Sequence, residues 1–137
     1  MKRKAPAQQI AALPFRKRRG KVEVLLITSR ETKRWVIPKG WPMAGLKDFT
    51  SAKREALEEA GVSGQISKTA LGQFDYEKRL KDGKTLTCSV LVFPLHVKKQ
   101  QRNWKEKSER TRSWFLAEEA AKRVQEPILK TIIQTFI

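Results

Sequence analysis

Residues 40–62 read GWPMAGLKDFTSAKREALEEAGV, a glycine- and proline-containing loop that runs into an acidic segment and a final glycine. Apolar residues recur there at three- and four-residue steps: Phe49, Ala52, Ala56 and Ala60. This period predicts a helix over residues 48–60, with Asp48 as its N-terminal cap and Gly61 as a left-handed residue that ends it. Because the stripe is mostly alanine, we expect the helix to lie close against the element that it covers.

Three carboxylates are concentrated near the end of this predicted helix. Glu55, Glu58 and Glu59 occupy positions i, i+3 and i+4, so their side chains share about a third of the helix circumference. Like-charged neighbours at these spacings cost roughly 0.2–0.5 kcal/mol per pair, and the helix dipole disfavours anions in the last turn. Such a cluster indicates a hard cation, Mg²⁺ or Mn²⁺, that also binds substrate phosphates. A solvated acidic helix face is the alternative.

Length and charge limit the class of protein. The chain has 137 residues, with 30 Lys and Arg against 14 Asp and Glu, for a formal net charge of +16. We expect one domain over residues 1–137, with residues 1–8 as a flexible basic tail. The charge predicts a surface that attracts polyanions, whether phosphate-rich small molecules, nucleic acid or an anionic membrane.

Two absences in the sequence bear on its compartment. No apolar stretch approaches the ~20 residues that a membrane span needs. Cys88 is the single cysteine, which excludes an intramolecular disulfide and is typical of a reducing compartment. We therefore expect a cytoplasmic protein that does not contact a membrane, either a monomer or a homodimer.

The rest of the chain alternates between strand-like and helix-like segments. Strands are predicted at 9–15, 22–28, 35–37, 66–76, 85–97 and 113–116, and two further helices at 117–125 and 127–137. Basic residues around Gly20 and the segment 81–84 predict turns, and residues 39–47 and 100–112 predict loops. The irregular alternation indicates an α/β or α+β fold with a mixed sheet.

Residues 40–62 resemble the Nudix box, in which fixed spacings separate a glycine, a glutamate, an Arg-Glu pair, a Glu-Glu pair and a final glycine. The positions in register are Gly40, Arg54, Glu55, Glu58, Glu59, Gly61 and Val62, with Ala56 in the aliphatic position. Leu46 stands where the box has its first glutamate, which usually braces the box arginine. We therefore expect Glu58 alone to hold Arg54, or a carboxylate from elsewhere, Glu106 or Glu109, to substitute.

The resemblance implies a fold and a reaction. Nudix proteins are α/β/α sandwiches around a mixed sheet, and they hydrolyse diphosphate linkages with divalent metal ions. By position, Glu55 and Glu59 are expected to be the main metal ligands, with the backbone carbonyl of Gly40. Glu58 is expected to be the base or a further ligand, and Arg54 to belong to the catalytic machinery.

Two further segments narrow the substrate class. Residues 25–40, LLITSRETKRWVIPKG, and residues 111–120, TRSWFLAEEA, are similar to the diphosphoinositol polyphosphate and diadenosine polyphosphate hydrolase branches of this family. This likeness implies a small polyphosphate substrate. The residues expected to contact it are Arg30, Lys39, Arg112 and Ser29, with help from the basic segment 16–19, while Tyr76 or Trp41 would stack on a base.

A second class of function stays open at this point. The loss of the box glutamate at Leu46 and the net charge of +16 are also compatible with a catalytically weakened fold that binds phosphate ligands or RNA. An RNA-decapping type of pyrophosphohydrolase is a related possibility.

Overall fold

The computed structural model describes residues 6–136, which form one mixed sheet with helices on both faces. The strands are β1 (Ala7–Arg18), β2 (Lys21–Thr28), β3 (Trp35–Val36), β4 (Lys39–Gly40), β5 (Val62–Ile66), β6 (Gly72–Arg79), β7 (Thr85–Gln100) and β8 (Arg112–Leu116). The helices are α1 (Asp48–Ala60), α2 (Ala117–Arg123) and α3 (Pro127–Gln134). Among the described residues, no helix is both long and apolar enough to cross a bilayer.

Strand β1 organises the sheet because it changes partner along its length. On one side it runs parallel to β7, from Ala7 opposite Cys88 to Phe15 opposite His96. On the other side its last residues pair with β2, whereas Ile10 and Ala11 pair antiparallel with β4. The short strand β4 therefore lies beside the middle of β1, next to α1.

The two faces of the sheet carry separate cores. On one face α1 packs through Ala52, Ala56 and Ala60, each fully buried, onto apolar residues of β1, β2 and β7. On the other face α2 and α3 cover a larger cluster that includes Leu129, Ile132 and Ile133. This arrangement confirms the expected α/β/α sandwich around a mixed sheet.

Helix α1 has the predicted bounds, but only one of its two predicted capping residues is right. Gly61 has the left-handed conformation expected of a helix stop (φ 66°, ψ 30°), and its N–H bonds the carbonyl groups of the last turn. The N-cap residue is Lys47, without a side-chain hydrogen bond, so the prediction that Asp48 caps the helix is wrong. Asp48 is instead the first helical residue, where its negative charge still interacts favourably with the helix dipole.

The strand predicted over residues 66–76 is wrong, since two strands occupy this region. β5 begins at Val62, directly after the helix stop, and pairs with the last part of β7. After a turn in which the Ser67 side chain bonds to Thr69, β6 pairs with the earlier part of β7. The 16-residue length of β7 lets one strand serve both partners.

Two smaller expectations are corrected at the start of the chain and in the loop after Pro38. The predicted flexible tail over residues 1–8 is too long, because β1 begins at Ala7 and its ladder with β7 includes Gln8. Residues 1–5 lie outside the described residues. The predicted loop 39–47 begins two residues later, since Lys39 and Gly40 are held by backbone pairing with β1.

We predict that Gly61→Ala destabilises the protein more than Gly45→Ala does. Both glycines have positive φ (66° and 79°), so alanine costs about 1–2 kcal/mol at either position. A Cβ at Gly61 would also lie 2.7 Å from Cδ2 of Trp104, whereas nothing lies within 4 Å of one at Gly45. The free energy of unfolding from urea denaturation should therefore fall by at least about 1 kcal/mol more for Gly61→Ala. Equal losses would show that Trp104 moves aside without cost.

Candidate active site

The site is built where β4 meets α1. Gly40 pairs with Ile10, so both face α1, and a Cβ on Gly40 would lie 2.5 Å from the carboxyl carbon of Glu55. Only glycine allows this carboxylate to approach the backbone so closely. One residue earlier, the N–H of Lys39 donates a hydrogen bond of 3.2 Å to Oε1 of Glu59. The backbone of β4 thus contacts both carboxylates that the sequence predicts as metal ligands.

Glu59 is buried, with 7% of its surface exposed, and an arginine from the following loop contacts it. Nη2 of Arg110 lies 3.5 Å from Oε2 of Glu59, and its Nε donates to Oε1 of Glu106 at 2.8 Å. Its Nη1 donates to the carbonyl oxygen of Thr28 at 3.2 Å. Arg110 therefore partly neutralises two carboxylates and connects them to the end of β2. Sequence reasoning missed Arg110, because its distance from Glu59 is visible only in the fold.

Two carboxyl groups of α1, those of Glu55 and Glu59, have raised pKa values. Burial, followed by the neighbouring charges of Glu59, Glu58 and Glu106, raises the pKa of Glu55 to about 8. Burial also raises the pKa of Glu59, although Arg110 and the Lys39 N–H oppose the shift. A bound cation would remove the repulsion that causes part of both shifts, so the site favours positive charge.

Glu58 lies at the more exposed side of the cluster. Its Oε1 is 3.5 Å from Nε of Arg54, and no other ion pair of Arg54 occurs among the described residues. This agrees with the expectation that Glu58 alone holds Arg54, because Leu46 is exposed and carries no charge.

Of the two proposed replacement carboxylates, Glu106 is the one near the site. Its N–H donates to the Glu58 carbonyl oxygen at 3.1 Å, and its charge contributes to the raised pKa of Glu55. Glu109 instead lies 3.7 Å from Nη1 of Arg30, away from the α1 carboxylates. The loop between β7 and β8 therefore supplies one additional carboxylate.

The donor set fits a hard divalent cation. Carboxylate oxygens of Glu55 and Glu59, with the backbone at Gly40, are the ligand type that Mg²⁺ and Mn²⁺ prefer. Within residues 6–136, no three acidic, histidine or cysteine side chains are already arranged around one point as a complete ligand set. The fit therefore rests on the space that the missing Cβ of Gly40 leaves beside Glu55, and on the mutual repulsion of the carboxylates.

Lys39 and Tyr76 come together on the opposite face of β4. Lys39 pairs with Ala11, which faces the α2 and α3 side, and its Nζ lies 4.9 Å from the centre of the Tyr76 ring. Burial lowers the pKa of the Lys39 ammonium to about 8. The Tyr76 hydroxyl donates to Oε1 of Gln9 at 2.6 Å, which fixes the ring. The two predicted substrate residues thus form one unit, on the face of β4 that is turned away from α1.

Ser29 and Arg30 lie on the turn between β2 and β3. The Ser29 hydroxyl accepts a hydrogen bond from the Arg34 N–H at 3.1 Å and lies 2.6 Å from the Thr32 hydroxyl, so it stabilises the turn. Arg30 is exposed at the tip of this turn. The turn is near the carboxylates because Thr28, which precedes it, accepts the bond from Arg110.

Arg112, expected from the sequence to contact substrate phosphates, bonds to backbone carbonyl groups at the end of α1. Its Nη1 donates to the carbonyl oxygens of Ala60 (2.9 Å) and Gly61 (3.3 Å), and its Nη2 to that of Gln101 (2.8 Å). Its guanidinium stacks 4.0 Å from the ring centre of Trp104, whose Nε1 donates to the Glu59 carbonyl oxygen. These contacts occupy the Arg112 guanidinium at the C-terminus of α1, where it bonds three backbone carbonyl oxygens.

The basic segment 16–19 is also remote from the carboxylates. Arg18 is eight residues from Ile10, the partner of Gly40, which corresponds to roughly 26 Å along an extended strand. Arg16 is engaged by Glu23 at 2.7 Å and stacks on Trp114. The structure therefore does not bring this segment together with Glu55, although the sequence predicts that it helps to bind the substrate.

With this geometry established, comparison with known proteins gives the family. The model of the NUDIX domain matches residues 6–136. The chain belongs to the NUDIX family. The family expected from residues 40–62 is thus confirmed.

Relatives of this NUDIX chain include plant and animal proteins named as hydrolases. It is 31% identical over 134 residues to Nudix hydrolase 21, chloroplastic, of Arabidopsis thaliana, covering 95% of the chain and 66% of the relative. It is 33% identical over 120 residues to diphosphoinositol polyphosphate phosphohydrolase 3-alpha of Mus musculus, covering 86% and 69%. The chain spans between 59% and 66% of the length of the first three plant relatives.

Solved structures share the fold of this NUDIX domain. The binary complex of a C. elegans Ap4A hydrolase superposes with a TM-score of 0.69 at 22% identity, covering 95% of this chain and 94% of that one. The NUDIX domain of Shewanella oneidensis NrtR, crystallised with ADP ribose, gives a TM-score of 0.69 at 15% identity, covering 96% and 88%. At these identities the likeness establishes the fold.

We predict that Glu55→Gln makes the metal-free protein less sensitive to pH. Unfolded Glu55 ionises near pH 4.5 and folded Glu55 near pH 8, so the folded state keeps a proton that the unfolded state has lost. The free energy of unfolding of the wild type should therefore fall as the pH rises from about 4.5 to 8, and Glu55→Gln should remove part of this fall. Urea denaturation in EDTA at pH 5 and pH 8 measures it.

The control for this measurement is Glu119→Gln, which changes an exposed carboxylate 3.5 Å from Lys122 on α2. An exposed pair of this kind contributes little to stability. A wild-type protein that is equally stable at both pH values, or a Glu119→Gln variant that behaves like Glu55→Gln, would contradict the prediction.

We predict that Arg110→Gln destabilises the metal-free protein by about 3 kcal/mol, because it leaves the buried carboxylate of Glu59 and the half-buried carboxylate of Glu106 without their cation. The same substitution should cost less in a Glu59→Gln background, since one of the two charges is then absent. Urea denaturation of the four proteins of this double-mutant cycle in EDTA gives the coupling energy. Additive losses would mean that Arg110 stabilises the fold only through Thr28 and Glu106.

Proposed function

We propose that this protein is a divalent-metal-dependent hydrolase of a diphosphate linkage in a polyphosphorylated small molecule, a diphosphoinositol polyphosphate or a dinucleoside polyphosphate. The observation that carries the proposal is the approach of the Glu55 carboxylate to the backbone of Gly40, with buried Glu59 beside it. Membership of the NUDIX family and relatives named as hydrolases support it.

Glu55, Glu59 and the Gly40 carbonyl group would hold Mg²⁺ or Mn²⁺. When bound, the ion offsets the negative charge of the diphosphate and lowers the pKa of a water molecule. The chain itself orients these ligands: the Lys39 N–H positions Glu59 at 3.2 Å, and Arg110 contacts its second oxygen. Both contacts limit the rotamers that Glu59 can adopt.

In this proposal Glu58 takes the proton of the attacking water or acts as a further ligand. Its side chain is 25% exposed, more than that of Glu59 at 10%, so solvent reaches it. Arg54, whose Nε lies 3.5 Å from Oε1 of Glu58, would orient this carboxylate. In this proposal Arg54 is a positioning residue that acts through Glu58.

Arg30 and Lys39 are the proposed contacts for substrate phosphates distant from the cleaved bond. Lys39 Nζ forms no ion pair within 4.0 Å among the described residues and rests on the Tyr76 ring. Arg30 has only a long, exposed contact with Glu109. With a net charge of +16, the protein would steer a highly anionic substrate toward these groups.

The two substrate classes would use the site differently. The relative from Mus musculus is named a diphosphoinositol polyphosphate phosphohydrolase, which favours a substrate with many phosphates for Arg30 and Lys39. A dinucleoside polyphosphate would place a base on Tyr76, half-buried, or on Trp41, which is 45% exposed. A cytoplasmic location and a monomeric or homodimeric state remain part of the proposal.

We predict that Glu55→Gln/Glu59→Gln lowers kcat/KM at least about a hundredfold, since even indirect disturbance of metal ligands costs 10–100-fold. The assay incubates the protein with Mg²⁺ and either a diphosphoinositol polyphosphate or a diadenosine polyphosphate, and separates products by ion-exchange chromatography. Glu118→Gln/Glu119→Gln, on the first turn of α2, is the charge-matched control and should retain activity. Equal activity of both double variants would contradict the proposal.

A second function is favoured by Leu46, the one box position without its glutamate. A catalytically weakened protein would bind phosphate ligands or RNA without cleaving them. Tight binding of both substrates in calorimetry with no product formed would support this function. Turnover that appears only in Leu46→Glu would show that the missing carboxylate is the cause.

A further inference from the structure

The hairpin between β1 and β2 ends in a tight and highly basic turn. Arg19 and Gly20 form a two-residue loop in which both have positive φ (53° and 76°), the signature of a type I′ turn. The four exposed cations around it are here called the basic tip: Lys17, Arg18, Arg19 and Lys21. An arginine in the left-handed region is unusual, because asparagine or glycine normally occupies this position.

The charges of the basic tip oppose local stability. Arg18 lies directly opposite Lys21 in the antiparallel ladder, and like charges in this position repel. The nearest carboxylate, Glu23, is engaged by Arg16 at 2.7 Å. No member of the basic tip forms an ion pair within residues 6–136. The tip therefore presents four cations that no described carboxylate neutralises.

A cleft runs beside the basic tip. Its volume is about 500 Å³, and it is lined by Arg18, Arg19, Lys21, Glu23 and Leu116. Leu116 pairs with Glu23 across β2 and β8 and is 42% exposed. The cleft thus combines three cations and one carboxylate, Glu23, with one apolar side chain, and its volume is too small to enclose a duplex.

The end of the sheet is basic on its other face as well. Phe15 stacks on His96 across the parallel pair of β1 and β7, with 4.9 Å between ring centres. Lys17 and Lys98 follow two residues later on each strand, so they lie on the same face as this stacked pair. A long anionic polymer can therefore contact both faces of this end of the sheet.

We propose that the basic tip and its cleft bind the phosphodiester backbone of a single-stranded nucleic acid. Successive cations match the repeated negative charge of such a strand, and Leu116 offers an apolar contact for a sugar or base. Trp114, the nearby aromatic residue, already carries Arg16 on its ring at 4.1 Å, so base stacking contributes little there. Binding should accordingly show little sequence preference and a strong salt dependence.

A nucleic acid fits this surface better than a membrane does. A peripheral membrane surface combines basic residues with several inserted apolar or aromatic side chains. Here Leu116 is the single large apolar residue among those lining the cleft. The site is also independent of the proposed hydrolase, since roughly 26 Å of strand separates Arg18 from the partner of Gly40.

The test compares two triple variants of equal net charge. Arg18→Gln/Arg19→Asn/Lys21→Gln removes the three cations that line the cleft and keeps Lys17, and asparagine tolerates the left-handed conformation at position 19. Arg79→Gln/Lys81→Gln/Lys84→Gln removes three exposed cations from the other hairpin, between β6 and β7. Fluorescence anisotropy with a labelled 20-nucleotide single-stranded RNA and the matching DNA, from 50 to 300 mM salt, gives Kd and its salt dependence.

The tip variant should weaken binding of both strands at least about tenfold at 100 mM salt and reduce the slope of log K against log salt by about 2, which corresponds to three contacts. The control should change Kd less than about twofold. Equal weakening in both variants would overturn the proposal, since it would show binding by net charge alone. Stronger binding to vesicles with 25% phosphatidylserine than to either strand would overturn it in favour of a membrane.

Hydrolysis of the small diphosphate substrates should be unchanged in the tip variant. A fall in kcat/KM would place the tip in the active site and overturn the independence of the two surfaces. The control for folding is the midpoint temperature of thermal unfolding. If both variants unfold at the wild-type temperature, a loss of binding is not due to a loss of fold.

Discussion

The approach of α1 to β4 is the contact on which the rest of the site depends. Gly40 has no side chain, and the buried face of the helix is alanine, so the Glu55 carboxylate reaches the backbone of β4. A larger residue on either side would move helix and strand apart. β4 itself has a fixed position because β1 pairs with β2 only near its end and pairs with β4 in its middle. The partner change in β1 and the alanine stripe of α1 are therefore parts of the same constraint.

This close contact has an electrostatic cost that shapes the surroundings. Carboxylates at three- and four-residue steps repel one another, and burial raises the pKa of both Glu55 and Glu59. Two groups offset part of this cost at Glu59: the Lys39 N–H donates to one carboxylate oxygen, and the Arg110 guanidinium contacts the other. Neither removes the repulsion at Glu55, whose pKa stays near 8. A divalent cation at this position would compete with a proton, so metal affinity and pH are linked in the site.

The sequence predicts an element well when the signals that define this element all lie within one short segment of the chain. Helix α1 has the predicted bounds because its apolar period, its acidic face and Gly61 are all within one segment. β5 was missed because Val62–Ile66 contains a glycine and polar residues, and it is a strand only through its pairing with β7. Arg112 and Arg110 look alike in the sequence, yet one fixes the helix end and the other contacts Glu59. The sequence shows that both residues are charged, but their partners are distant along the chain and are known only from the fold.

The loop between β7 and β8 brings a carboxylate to the C-terminal end of α1. Trp104 donates to the carbonyl of Glu59 and stacks on Arg112, which bonds the carbonyls of Ala60 and Gly61. These contacts attach the loop to the last turn of α1. The attachment positions Glu106, whose N–H bonds the Glu58 carbonyl and whose carboxylate holds Arg110. Glu106 thus lies beside the C-terminal end of α1, whereas Leu46, at the position of the first box glutamate, precedes the N-terminal end of the helix. Because the Glu106 N–H bonds the backbone of α1, the position of Glu106 is tied to the helix that carries Glu58 and Glu59.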